Sequence, residues 1–149
     1  MTSGVFLDTN VIVYEMDHDD ARRHRQAAAV VRRLGRGRSC LSQQVLSEFA
    51  NVLVHPRKLN LPATEAALAI RRLASVVSVL PVTTRVVISA LGAADRWGLH
   101  FYDAQIWATA ALNNVPVVLS EDFEHGLQLG PVRFLDPFDE GFDVAELDV

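Results

Sequence analysis

One cysteine, Cys40, in 149 residues leaves no partner for an intramolecular disulfide and too few thiols for a cysteine-based zinc cluster. Long apolar runs are missing as well. The longest uncharged stretch, Ala104 to Ser120, is broken by Gln105, Asn113, Asn114 and Pro116, so it is no membrane span of ~20 apolar residues. The opening MTSGVFLDTN has no basic segment and meets an aspartate at position 8, so no signal peptide is expected and a cytoplasmic location is. There is no internal repeat and no Gly/Ser- or Pro-rich linker. Lysine is almost absent, with 13 Arg against a single Lys58, and the net charge of −4 lacks the basic excess usual in a nucleic-acid binder.

What is present suits one globular domain. Half of the residues are hydrophobic and 21% are charged. A chain of this length buries roughly two-thirds of its unfolded surface, enough for a core without staples. Short apolar runs rich in β-branched residues read as strands: VFL at 5–7, SCLS at 39–42, VVSVLPV at 76–82, VPVVLS at 115–120 and VRFL at 132–135. None alternates cleanly, which predicts burial on both faces.

Helical patterns separate these runs. Asp19 or Asp20 can cap a helix running to about Leu34, where GRG ends it, and Ser42 can cap the next, running to HPR. Pro62 opens a third helix to about Ala74, and 84–97 and 102–113 are two more. Strands alternating with helices predict an α/β domain with a central parallel sheet of about five strands flanked by helices. The domain is expected to span 1–135, followed by an acidic tail at 136–149.

In such sheets ligands bind beyond the carboxyl ends of the strands, and acids stand there. Asp8 follows VFL directly, and Glu121 and Asp122 follow VPVVLS. Each could equally cap a helix or form a turn. Asp103 lies in the first turn of FYDAQIWATAAL, where the helix dipole favours an anion, in a helix almost free of other charge. Glu48 falls roughly 60° around its helix from Val45, at the border of the apolar stripe. It is either a snorkelling surface residue or one directed toward Asp8. Carboxylates converging in one pocket would repel unless protonated or neutralised by a cation, and oxygen-only ligation selects Mg²⁺ or Mn²⁺. The five histidines are scattered, with no pair at metal-ligand spacing.

FLDTNVIVY at 6–14, LSEF at 46–49, FYDAQIWATAA at 101–111 and LSEDF at 119–123 together resemble the PIN-domain ribonucleases, in particular the VapC-type toxins of toxin–antitoxin pairs. The resemblance implies a PIN fold and Mg²⁺- or Mn²⁺-dependent cleavage of RNA, with a cognate antitoxin as partner and frequent homodimers. It makes Asp8, Glu48, Asp103 and Asp122 the catalytic acids, with Asp8 and Asp103 as direct metal ligands. Thr9 and Asn10 take positions whose side chains hold Asp8, and Ser120 the one that hydrogen-bonds across the pocket. Glu124 is either a peripheral ligand or solvated, and Glu121 points away if Asp122 points in. An antitoxin groove would have Val30, Val31, Leu34, Leu46 and Leu53 as walls, unless all five are core.

A PIN-like module without turnover, binding RNA or protein, is the alternative, disfavoured by the retention of all four acids. A phosphotransferase of the haloacid-dehalogenase kind wants a second Asp at position 10, which is Asn, and a later lysine. The charge balance fits RNA once divided. Residues 1–135 hold fourteen bases against twelve acids, four of them the proposed pocket, and the last fourteen residues hold six acids and no base. Seven arginines between Arg22 and Arg38 are either a solvated helix face or phosphate contacts. The tail is expected to be solvated or to fold over a basic surface.

Overall fold

The computed structural model describes residues 4–148. The chain alternates strands and helices in the order β1 (Val5–Leu7), α1 (Thr9–Met16), α2 (Ala21–Leu34), β2 (Ser39–Ser42), α3 (Gln43–Val54), α4 (Ala63–Val76) and β3 (Ser78–Leu80). It continues through α5 (Thr84–Trp97), α6 (Phe101–Leu112), β4 (Val117–Leu119), β5 (Gln128–Leu129) and β6 (Val132–Leu135) to a 3-10 turn at Val144–Leu147. One sheet has the order β3-β2-β1-β4-β6-β5. All neighbours are parallel except the β5–β6 pair. The expected α/β class and all five expected strands are there. The sixth, β5, is a two-residue antiparallel addition too short to leave a pattern in the sequence.

β1, β2 and β4 are buried throughout, as continuous apolar runs predict. β3 is not: it is the sheet's edge, with Ser78 exposed. α6 carries six buried residues, among them Ala104, Ala108 and Ala110, and packs on α5 through Ala90 and Ala93. Alanine on both sides lets the two helices approach closely, and the edge-to-face pair of Trp97 and Trp107 packs beside them.

One helix departs from the expected pattern. No element is expected over 9–16, where Val11, Ile12 and Val13 are β-branched, yet Thr9–Met16 is helical. Asp8 supplies the N-cap, its side chain accepting from the Thr9 amide, and burial of Val11 and Ile12 outweighs their small propensity penalty.

The acidic tail also departs from the solvated form. Phe138 and Leu147 are buried, and Leu147 is fully so. Arg38 donates to the Leu147 carbonyl at 2.7 Å and Arg22 to that of Phe138 at 2.8 Å, while Arg33 pairs with Asp148. An exposed ion pair contributes at most about 1 kcal/mol. Burying one leucine contributes about 1.5–3 kcal/mol, so Leu147 is the anchor and the arginines set its register.

Candidate active site

The chain runs from β1 outward through β2 to β3, then returns to place β4 on the other side of β1. The reversal at β1/β4 opens a crevice at the carboxyl ends of those strands, the place where ligands bind in open α/β sheets. The β1–β4 register pairs Leu7 with Leu119. Asp8 and Ser120 therefore emerge side by side.

Asp8 is 3% exposed. Its Oδ1 accepts from the Thr9 amide at 2.7 Å and its Oδ2 from the Ser120 hydroxyl at 2.7 Å. Burial pushes its pKa up to about 6 against those two hydrogen bonds, and the charges of Asp122 and Glu48 push the same way. Asp103, half-buried on α6, is also raised, first by burial and then by Asp122 and Glu48, with His100 opposing. Among the described residues no hydrogen-bond donor reaches the Asp103 carboxylate. The four acids named from the sequence thus share one electrostatic neighbourhood, delivered by β1, α3, α6 and the segment after β4.

The hydrogen bonds reveal a different division of labour from the one the resemblance implies. The Thr9 and Asn10 side chains do not hold Asp8. The Thr9 hydroxyl donates to Glu48 Oε2 at 2.9 Å. Asn10 Nδ2 donates to Ser120 Oγ at 3.2 Å and Asp122 Oδ2 at 3.3 Å. The reason is register: the Thr9 amide at the start of α1 already fills the cap bond to Asp8, so the side chains of the first turn are left to reach outward. Ser120, fully buried, is the hub, donating to Asp8 and accepting from the Asp122 amide at 3.0 Å. Glu121 points away from Asp8, to Arg23 Nε at 3.2 Å, and Glu124 is exposed.

Two residues of the site were not among the expected ones, although Gln105 lies inside FYDAQIWATAA. Gln105 Nε2 donates to Gln44 Oε1 at 2.7 Å, and Gln44 Nε2 donates to Glu48 Oε1 at 2.8 Å. Gln44 stands one helical turn before Glu48, a spacing at which side chains meet. Gln105 is the sole long polar residue in the buried part of α6, and that isolation is the one signal the sequence offers for it.

A family model described as the PIN domain matches residues 5–126. The chain belongs to the PIN domain family. Among solved structures this PIN domain is similar to VapC20 of Mycobacterium tuberculosis, described as a Sarcin-Ricin loop cleaving toxin. The TM-score is 0.62 at 23% identity, over 77% of this chain and 87% of that one. It is also similar to a toxin–antitoxin complex from Klebsiella pneumoniae, with a TM-score of 0.66 at 15% identity over 91% and 98%. DNA-bound VapBC from Salmonella typhimurium gives 0.62 at 20% identity over 92% and 99%. At these identities the likeness is one of fold. The curated proteins offer no match.

The PIN domain has one groove that reaches Asp122 and another that none of the four acids lines. One, of about 450 Å³, is lined by Thr9, Asn10 and Asp122, by Asp17 and Asp19, and by Arg57 and Lys58 of the loop between α3 and α4. That loop is tied down by backbone bonds from Lys58 and Asn60 to the His55 carbonyl. Arg57 and Lys58 are exposed and have no ion-pair partner among the described residues. The other, of about 520 Å³, is apolar and lies between α1, α2 and α4, with Met16, Val31, Leu73 and Val76 in its walls. Of the five walls named from the sequence only Val31 lines it. Val30, Leu34 and Leu53 are core, and Leu46 packs against the core half-buried. Among the described residues no helix is long and apolar enough to cross a membrane.

Proposed function

We propose that this PIN domain is a metal-dependent endoribonuclease, the toxin of a toxin–antitoxin pair, hydrolysing RNA phosphodiesters at Asp8, Glu48, Asp103 and Asp122. The observation that carries the proposal is electrostatic. Two acids in one crevice have raised pKa values, each through burial with the charges of the others added. A protein that gathers like charges in one crevice, with His100 at Asp103 as the one opposing charge, is arranged for an external cation.

The donor set fits a hard divalent ion. Every candidate ligand is an oxygen, and each Asp8 oxygen keeps a lone pair after its single hydrogen bond. Among the described residues no three acids, histidines or cysteines close into a ready cage. The oxygen-only set is what favours Mg²⁺ or Mn²⁺, and Mg²⁺ takes one or two carboxylates and retains several waters. Asp8 and Asp103 would hold the ion directly, with Glu48 and Asp122 completing its surroundings partly through water. The chemistry such an ion supplies is Lewis acidity, which lowers the pKa of water and offsets charge on phosphate oxygens.

The side chains around it orient and screen. Ser120 and the Thr9 amide fix the Asp8 carboxylate, the Thr9 hydroxyl and Gln44 fix both oxygens of Glu48, and Asn10 turns Asp122 toward the crevice. Arg57 and Lys58, in the groove that ends at Asp122, seat RNA phosphates and so direct the backbone across the acids. The apolar groove between α1, α2 and α4 takes the antitoxin. Val31 and Val76 are 39% and 36% exposed in the free chain, and both are wall residues.

The purified protein, free of antitoxin, should cleave RNA with Mg²⁺ or Mn²⁺, and Asp8→Asn should abolish cleavage while the circular dichroism spectrum is retained. No cleavage with either ion, together with no ion binding by calorimetry, would overturn the proposal.

A further inference from the structure

Beside Glu48 lies a third cleft, of about 490 Å³, that shares no lining residue with the Arg57–Lys58 groove. Gln43 and Ser47 of α3 and Tyr102 of α6 line it, and Glu48 is its only charged wall. Tyr102 is 56% exposed, a large aromatic surface left open at the mouth of the candidate active site. Gln43 and Ser47 are exposed, stand four residues apart on one helix face, and make no side-chain hydrogen bond among the described residues.

The floor of the cleft is braced. The Gln44 amide donates to Glu48 Oε1 at 2.8 Å and to the Tyr102 carbonyl at 3.1 Å. Its own carbonyl accepts from Gln105, which is 6% exposed. One amide therefore fastens an acid of the pocket and the backbone beneath the aromatic ring to each other, so the distance between them is fixed by hydrogen bonds rather than by a loop.

We propose that this cleft is a nucleobase subsite: an unpaired RNA base stacks on the Tyr102 ring with its edge toward the Gln43 amide and the Ser47 hydroxyl. The site thereby selects which phosphodiester reaches the acids. The inference rests on the ribonuclease reading given above. The chemistry favours a base over a phosphate, because no cation lines the cleft and Glu48 repels an anion. A base is neutral and flat, with donors and acceptors along one edge, which is what an aromatic face beside a free amide and a free hydroxyl complements. Phosphates have Arg57 and Lys58 on the other side of the crevice, so bases and backbone part company at Glu48.

The test uses a single-stranded RNA decamer that the wild type cleaves, taken from a random-sequence pool, and ten copies of it each with one abasic nucleotide. Tyr102→Ala should weaken binding, read as KM and as metal-free anisotropy of the labelled decamer, by roughly 5- to 150-fold. Tyr102→Phe should bind within about twofold of wild type, since the ring is kept. One abasic position should cost the wild type a similar factor and cost Tyr102→Ala nothing. Unchanged binding by a folded Tyr102→Ala, or an abasic penalty that persists in it, would overturn the subsite while leaving the ribonuclease reading standing. A wild type that cleaves no member of the pool with either ion overturns both.

Discussion

Asp8→Asn should make the metal-free protein more stable above neutral pH and less stable near pH 4.5. The unfolded carboxyl titrates near its ordinary value of 3.8, while in the fold it titrates at about 6. Between those values the native state binds a proton that the unfolded state does not. A raised carboxyl pKa therefore contributes stability at low pH, and this is lost as pH rises through that window. A shift of about two pH units corresponds to about 3 kcal/mol, fully expressed above pH 7.

Asparagine removes that penalty and introduces a smaller one. Its oxygen can still accept from the Thr9 amide. Its NH₂ group meets Ser120 Oγ, whose lone pairs already accept from Asn10 and from the Asp122 amide. An unsatisfied donor there costs about 1–2 kcal/mol. The net is a gain of about 1–2 kcal/mol at pH 8, equivalent to a Tm increase of several degrees, and a loss of at most about 1 kcal/mol at pH 4.5, where the fold keeps the Asp8 proton but the unfolded chain has already released most of its own. Urea unfolding of both proteins at half-unit steps from pH 4.5 to 8, in chelator, measures the difference directly. A difference that does not change with pH, or a variant weaker than wild type at pH 8, would refute the electrostatic reasoning.

Thermal melts should show Mg²⁺ and Mn²⁺ raising the Tm of the wild type, by on the order of 2.7 kcal/mol of stability at a hundred times the Kd. Asp8→Asn and Asp103→Asn should show little rise; equal shifts in all three would remove these two acids as ligands. Replacing both Arg57 and Lys58 by Ala should lower the slope of log K for single-stranded RNA against log salt by about 1.4, at about 0.7 for each phosphate no longer neutralised. An unchanged slope would mean that the groove carries no backbone. Leu147→Ala should destabilise the chain by about 2–5 kcal/mol in equilibrium unfolding, as for a core leucine. A change under about 0.5 kcal/mol, the range of an ordinary surface substitution, would show the tail to be a surface appendage.

Most of the sheet was legible because it depends on local signals, apolar runs of strand length, and Asp8 and Asp122 stand where two of those runs end, whereas Glu48 and Asp103 lie inside helices. The sequence did not carry α1. Val11, Ile12 and Val13 are β-branched, and only the Asp8 cap and the core contacts of Val11 and Ile12 turn the segment into a helix. The hydrogen-bond partners of Thr9 and Asn10 are not legible for a related reason, since partners 39 and 112 residues away are chosen by packing and not by neighbourhood. The tail was read from charge alone, and its acids dominate its composition. Its position is decided by the buried Phe138 and Leu147, with Phe142 and Val144 packed partly against the core. Four of the seven clustered arginines, Arg22, Arg23, Arg33 and Arg38, bond to protein carbonyls or carboxylates, so much of that basic run serves the fold.

Asp8 stands at the head of α1 as well as at the centre of the crevice, so a single side chain answers to two constraints. Asparagine, serine or threonine at position 8 could keep the helix start and lose the acid, whereas alanine would forfeit about 1 kcal/mol of capping along with it. If the proposed cleavage is this chain's activity, relatives that abandoned it would drift first to those polar residues. Such a substitution in a relative would mark an inactive copy still under selection to fold, and an alanine or valine there would mark one released from both demands.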